Sequence, residues 1–198
     1  MHEIREIEEH IRKKFEVQPK SFPPYSGKKM STREDLYALF SELGYTIGAE
    51  IGVLRGSNAK QMFDRIPGLK LICVDPWKNF ERGYEKAKRR LEGYSVIWKR
   101  MTSMEAVKTI KDASLDFIYI DGLHDFDSVI MDLVCWIPKV KKKGIISGHD
   151  YYHSEQCHVP QAVDAYTHAH GIANIHLTRD NLVLKEFPYS PSFFWINA

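Results

Sequence analysis

Cysteine is scarce in these 198 residues: Cys73, Cys135 and Cys157 stand far apart, too few and too scattered for a disulfide framework or a zinc ribbon. They read as reduced thiols, two of them in the core. Long apolar runs are missing as well. No stretch reaches the roughly 18 uncharged apolar residues that span a bilayer, and the opening MHEIREIEEHIRKKFEV is too charged for a signal peptide. The expectation is a cytoplasmic chain with no membrane span. An excess of one charge is lacking too: 28 Lys and Arg against 26 Asp and Glu leave a net +2, which gives no electrostatic reason to expect specific nucleic-acid binding. The basic run Lys139 to Lys143 reads as a solvated turn between a helix and a strand. Repeats and low-complexity tracts are absent. So is the Gly-x-Gly-x-x-Gly turn of dinucleotide-binding sheets, which counts against a nicotinamide-dependent oxidoreductase.

What is present is one substantial core, with 43% hydrophobic residues in 23.0 kDa. Ile4, Ile7, Ile11 and Phe15 lie at helical spacing over residues 2–15. A second helix is capped by Ser31 and Thr32, carries Glu34 and Asp35 in its first turn, and stops at Gly44. From there strand-like runs at 46–53, 69–75, 94–100, 115–121 and 143–150 alternate with helix-like runs near 57–66, 79–92, 102–111 and 126–136. Near-continuous apolar strands alternating with helices predict an α/β fold, a Rossmann-like doubly wound parallel sheet covered on both faces. Ligands then bind beyond the carboxyl ends of the strands.

The first strand ends in Glu50-Ile51-Gly52, turns through Val53 to Gly56, and enters a helix at Ser57. Gly52 and Gly56 permit a sharp turn and leave room for a ligand to approach the main chain. A carboxylate at position 50 suits an ammonium group better than a phosphate. Asp75 ends the second strand, where an acid accepts hydrogen bonds from a ribose. An amino group and a ribose together point to S-adenosylmethionine. The simpler alternative is a tight glycine turn with Asp75 as a helix cap.

The segments EIGVLRGSNAKQM, VDPW, IDGLHDFDSVIMDLVCWIPKVKKKGIISGHDYY and PSFFWIN together resemble a class I S-adenosylmethionine-dependent methyltransferase. The branch is that of the macrocin- and mycinamicin-type sugar O-methyltransferases and the proteins called cephalosporin hydroxylases. The resemblance covers about residues 46–197, and the block from IDG-x-H to GHDYY is its most specific part. It implies a seven-stranded, mostly parallel sheet with an antiparallel last strand, formed here by SFFWINA. It also implies Glu50 near the methionine end of the cofactor, the turn from Gly52 to Ser57 beneath it, Asp75 on the ribose, and Trp77 and Ser103 near the adenine. For Trp77 and Ser103 the alternatives are a half-buried aromatic and a helix N-cap.

Asp121, His124, His149 and Asp150 fall at the ends of the fourth and fifth strands or just beyond. Methylation of an oxygen requires in-line positioning of the alcohol and removal of its proton, and a histidine titrating near neutrality suits that removal. The resemblance implies that Asp121 with the pair His149-Asp150 holds a divalent cation, magnesium or manganese, while His124 is the base. His149 departs from the family's carboxylate, and imidazole suits manganese better than magnesium. His124 has the alternative of merely starting the next helix, and His153 that of a loop residue. His158, His168, His170 and His176 show no ligand spacing and read as surface and helix-face residues. Residues 1–45 form an N-terminal helical extension, a lid, a subunit interface of a homo-oligomer or simple packing. Residues 46–198 form the methyltransferase domain. The expected acceptor is a small molecule or a sugar. Phe22, Tyr25, Tyr45, Tyr151 and Tyr152 are candidates for its surface or ordinary packing. The competing function is a non-catalytic binding protein of the same fold.

Overall fold

Along β2 (Lys70–Val74), Leu71 and Cys73 enter one apolar cluster while Ile72 and Val74 enter another. A strand covered on both faces requires this alternation. The same division runs through β4 (Leu115–Ile120), where Phe117 and Tyr119 face one layer and Ile118 and Ile120 the other, whereas β1 (Ile47–Ile51) sends Ala49 and Ile51 into the second cluster and alternates them with Gly48 and Glu50. The computed structural model describes residues 4–17, 32–178 and 190–198. Ser31, Phe22, Tyr25 and the segment 179–189 lie outside them.

The described residues form one seven-stranded sheet in the order β3-β2-β1-β4-β5-β7-β6, completed by β3 (Ser95–Lys99), β5 (Val140–Gly148), β6 (His176–Leu177) and β7 (Phe193–Ile196). Strands β1 to β5 are parallel, and β7 runs antiparallel between β5 and β6. The order reverses at β1, so the loops after β1 and β4 diverge from a common crevice.

One face carries α1 (Ile4–Lys14), α2 (Arg33–Glu42), α3 (Ser57–Arg65) and α4 (Glu81–Arg90). Ile7, Ile11, Leu36, Tyr37 and Phe40 join Phe117 and Tyr119 in a single buried cluster. Ring centroids lie 4.5 Å apart for Phe40 and Phe117, and 5.8 Å for Tyr37 and Tyr119. Each such side chain contributes about 1.5–3 kcal/mol on burial. The other face carries α5 (Ser103–Ala106), α6 (Phe126–Trp136) and α7 (Val159–Ala169), with Val129, Leu133, Trp136, Ala162 and Val163 packed on Ile118, Ile120 and Trp195.

Three local expectations give way. The lysine run is strand from Val140 onward, where β5 begins, with Lys139 closing a 3₁₀ turn; Lys139 and Lys141 pair with Asp112 and Asp116, each at 2.6 Å, beside a pairing that shifts register between Leu115 and Phe117. Residues 102–111 make one α-turn and a 3₁₀ turn, Val107–Thr109, instead of a full helix. The Thr109 hydroxyl donates to the Ala106 carbonyl at 2.7 Å and competes with helix continuation. His176 is buried, not a surface residue: its Nε2 meets both carboxylate oxygens of Glu8 at 3.1 Å, tying α1 to β6. The cysteines are unbridged, with Cys73 and Cys157 buried.

Candidate active site

Beyond the carboxyl ends of β1, β2, β4 and β5 lies a cavity of about 1230 Å³. Its floor is Glu50, fully buried at the end of β1. Asn58, in the first turn of α3, donates from Nδ2 to Glu50 Oε1 at 3.0 Å, while Glu50 Oε2 has no partner among the described residues. Burial raises the Glu50 carboxyl to about 8; the Asn58 hydrogen bond opposes this and the charge of Asp121 adds to it.

The turn after β1 is held by the chain itself. Asp75 Oδ2 accepts from the backbone N–H of Val53 at 3.1 Å and of Leu54 at 2.8 Å, and its Oδ1 from that of Trp77 at 2.8 Å. The space made by the two glycines is filled by protein, not left for a ligand. A Cβ on Gly52 would lie 2.0 Å from the Asp121 carbonyl oxygen, and one on Gly56 would press on Leu91 and Ala87 at 3.2–3.4 Å. Gly52 lines the cavity and Gly56 does not. Ser57 lines it as well, its hydroxyl taking a hydrogen bond from Arg90. Trp77 lies away from the cavity wall: its ring packs on Tyr84 at 4.8 Å and its Nε1 donates to the Leu54 carbonyl at 2.7 Å. Ser103 lines the cavity, donates to Asp132, and accepts from Trp136 Nε1 at 2.7 Å.

Across the cavity, His124 Nε2 meets Asp150 Oδ2 at 2.9 Å, and His149 Nδ1 meets Asp150 Oδ1 at 3.1 Å. Asp150 adopts a φ of 60°, a left-handed conformation uncommon for a residue with a Cβ and more frequent at aspartate than at most. Burial pushes its carboxyl up, but hydrogen bonds from His124, His149 and Ser190 outweigh this and hold it far below the usual range. The hydrogen bond to Asp150 raises the His124 imidazole, against its partial burial. Asp121 is raised by burial, with His149 opposing and Asp150 adding. Asp121, His124 and Asp150 each offer a ligand atom within 4.8 Å of the others. His149 is otherwise engaged: its Nε2 accepts from Arg33 and its Nδ1 donates to Asp150.

The lining residues not singled out from sequence include Arg33, Asn58 and Asp132. Asp132 carried a usable signal, since it shares an inward helix face with Val129, Leu133 and Trp136; burial raises it to about 6. Asn58 is the second residue of α3, eight positions after Glu50. Tyr152 lines the cavity, while Tyr45 and Tyr151 bond Lys143 and Asp164.

The sheet order and a cavity built on the ends of β1, β2, β4 and β5 define a class I S-adenosylmethionine-dependent methyltransferase fold. Residues 49–151, just over half of the chain, match the methyltransferase domain family, and the chain belongs to it. An O-methyltransferase from Bacillus cereus in complex with SAH superposes with a TM-score of 0.65 at 14% identity, covering 98% of this chain and 90% of that one. The O-methyltransferase TomG from Streptomyces achromogenes, involved in tomaymycin synthesis and in complex with SAM, gives 0.64 at 13% identity over 100% and 91%. At such identities the likeness is one of fold. The uncharacterized protein y4gI from Sinorhizobium fredii is 37% identical over 51 residues, 26% of this chain, which spans 6% of that relative's length. No described helix is long and apolar enough to cross a membrane.

Proposed function

We propose that this chain transfers the methyl group of S-adenosylmethionine to a hydroxyl of a small molecule or sugar. The observation that carries this reading is the placement of an orphaned buried carboxylate oxygen, Glu50 Oε2, and a His124–Asp150 pair on the walls of one cavity. The residues fit the cofactor. Glu50 offers an acceptor to an ammonium group, and Asp75, three of whose about four acceptor sites hold its loop, keeps one on Oδ1 at the cavity wall for a ribose hydroxyl. The volume of about 1230 Å³ exceeds the ~300–1,000 Å³ of an ordinary ligand pocket, which leaves space for a cofactor and a small acceptor together. Exposed Leu54, Leu123 and Met131 line it and give an acceptor an apolar rim.

The cofactor supplies an electrophilic methyl on a sulfonium. Asp150 fixes Nε2 of His124 as its hydrogen-bond partner, leaving Nδ1 as the basic nitrogen that takes the hydroxyl proton. The negative charge of Asp150 stabilises the imidazolium so formed. A pure binding protein has no use for this base. In this reading residues 46–198 carry the reaction and residues 1–45 form the extension that adds Arg33 to one wall.

A second reading rests on Asp121, His124 and Asp150 as ligands of a divalent cation. Two carboxylates and an imidazole suit manganese better than magnesium, and such an ion would lower the pKa of a bound hydroxyl. The experiment is calorimetric titration with S-adenosylhomocysteine, followed by acceptor screening with chelator or with manganese. Micromolar binding supports the methyltransferase reading, and its absence sinks it. Transfer that dies with chelator and returns with manganese favours the cation; transfer indifferent to both favours His124 as base.

Cofactor binding should also be proton-linked. With the Glu50 carboxyl raised to about 8, the free protein holds a proton there at pH 7, and an ammonium alongside lowers the pKa and expels it. The bound state carries fewer protons, so affinity rises with pH, by up to about tenfold per unit between pH 6 and 8. Above that the ligand's own α-amino group, near ~8, deprotonates and affinity falls again. Titrations in buffers of different ionisation enthalpy read the proton count directly. A flat affinity between pH 6 and 8 would remove Glu50 from this role.

A further inference from the structure

Arg33 is the first residue of α2, directly after the N-cap Thr32, whose backbone N–H donates to Asp35 Oδ2 at 3.0 Å. A cation in the first turn of a helix faces the positive end of the helix dipole. The helix therefore gains nothing from a guanidinium there. The side chain instead reaches the cavity wall, where Nη1 donates to Asn58 Oδ1 at 3.2 Å and Nη2 to His149 Nε2.

Asn58 connects a guanidinium to a buried carboxyl group. Its carbonyl oxygen takes the hydrogen bond from Arg33, and its amide nitrogen donates to Glu50 Oε1. Arg33 and Glu50 are near enough for the guanidinium charge to act on the Glu50 carboxyl. One amide thus sets a guanidinium beside a buried carboxylate whose second oxygen has no partner among the described residues. Once the ligand's ammonium expels the Glu50 proton, these two groups are the complement of an amino-acid zwitterion.

We propose that Arg33 binds the α-carboxylate of the cofactor's methionine portion while Glu50 takes its α-ammonium. The inference rests on the cofactor reading given above and adds a residue outside the family-matched segment 49–151. A carboxylate is a stronger partner for a guanidinium than a neutral imidazole nitrogen, through charge-assisted and bidentate hydrogen bonds. The ligand carboxylate displaces His149 Nε2 from Arg33, and the Asn58 contact keeps the guanidinium in register with Glu50. Arg55 is a competing cation on the same cavity; its guanidinium lies over the Phe80 ring at 5.4 Å.

The test compares two ligands on the full chain by calorimetry: S-adenosylhomocysteine, and its decarboxylated analogue, which keeps the ammonium, sulfur, ribose and adenine. Wild type is expected to prefer the first by about 10- to 100-fold, the range of a charge-assisted carboxylate contact. Arg33→Met, which keeps much of the apolar stem, should erase that preference by weakening only S-adenosylhomocysteine. Binding of the decarboxylated analogue should stay within about threefold and so report an intact fold, and Arg33→Lys should restore part of the preference. Should Arg33→Met prove unfolded, the wild-type preference and the Arg33→Lys value still decide. Equal weakening of both ligands, no weakening of either, or a preference that vanishes in Arg55→Ala instead overturns the assignment while leaving the cofactor in place. A wild type that binds the decarboxylated analogue as tightly as S-adenosylhomocysteine overturns it without any variant. Failure of S-adenosylhomocysteine to bind wild type overturns the cofactor reading and this inference with it.

Discussion

Replacement of His124 by asparagine is expected to slow methyl transfer about 100-fold or more while leaving S-adenosylhomocysteine affinity within about twofold. Positioned general bases contribute roughly 10²–10⁴ to rate, and asparagine keeps a polar group of similar reach without a titratable nitrogen. His124 is placed to act because Asp150 Oδ2 holds its Nε2 at 2.9 Å. That hydrogen bond also raises the imidazole above its ordinary value. A base must be unprotonated to work, so the rate with any acceptor the wild type methylates should climb as pH rises through this raised pKa, on a limb lying above about 6.5. Asp150→Asn removes the raising partner. The limb should then move toward acid and the plateau should fall, since the imidazolium loses its counter-charge. A His124→Asn enzyme with wild-type turnover would end the base assignment, and a limb unmoved by Asp150→Asn would place the titration elsewhere.

The largest effect on folding should come from Gly52→Ala. Its Cβ would sit 2.0 Å from the Asp121 carbonyl oxygen, 2.5 Å from that carbonyl carbon and 2.8 Å from the Gly122 Cα, with φ at +89°. Backbone atoms cannot rotate aside as a side chain can. The ends of β1 and β4 must separate, and the hydrogen bond from Asp121 N to the Ile51 carbonyl at 2.7 Å goes with them. Strain and clash together should cost about 4 kcal/mol, roughly 8–16 °C in thermal midpoint for a domain of this size. Cofactor affinity should drop more than about tenfold, because Glu50 and Asp121 move apart. Gly93→Ala is the control: its φ is +83° but nothing lies within 4 Å of the added Cβ, so only the conformational cost of about 1 kcal/mol remains. Equal melting temperatures for the two variants would show that the close approach of β1 and β4 is not what position 52 protects.

Much of the frame was legible because strand ends advertise themselves. Five apolar runs, each ending near an acid, a glycine or a turn, are enough to place Glu50, Asp75, Asp121 and Asp150 at the carboxyl ends of one sheet. Arg33 escapes because its place on the cavity wall depends on where α2 docks, and no local pattern encodes that. The lysine run misleads because hydropathy cannot tell a solvated turn from the start of an interior strand whose flanking charges find Asp112 and Asp116. His176 looked like any polar residue near a strand; the partner that makes its burial tolerable, Glu8, lies 168 positions earlier. Gly52 reads from sequence as room for a ligand beside the main chain, but what occupies the space is the Asp121 carbonyl at the end of the neighbouring strand, a tertiary fact.

The aromatic contacts between α2 and the middle of the sheet bear on how such a chain can diversify. Tyr37 lies against Tyr119, Phe40 against Phe117, and the Tyr37 hydroxyl reaches the same Asn58 that braces Glu50. A recombination event joining a foreign segment just ahead of β1 would bare these rings and unmoor that asparagine in a single step. Variation ahead of β1 is therefore constrained to conserve the inner surface of α2, while its outward residues are free to drift.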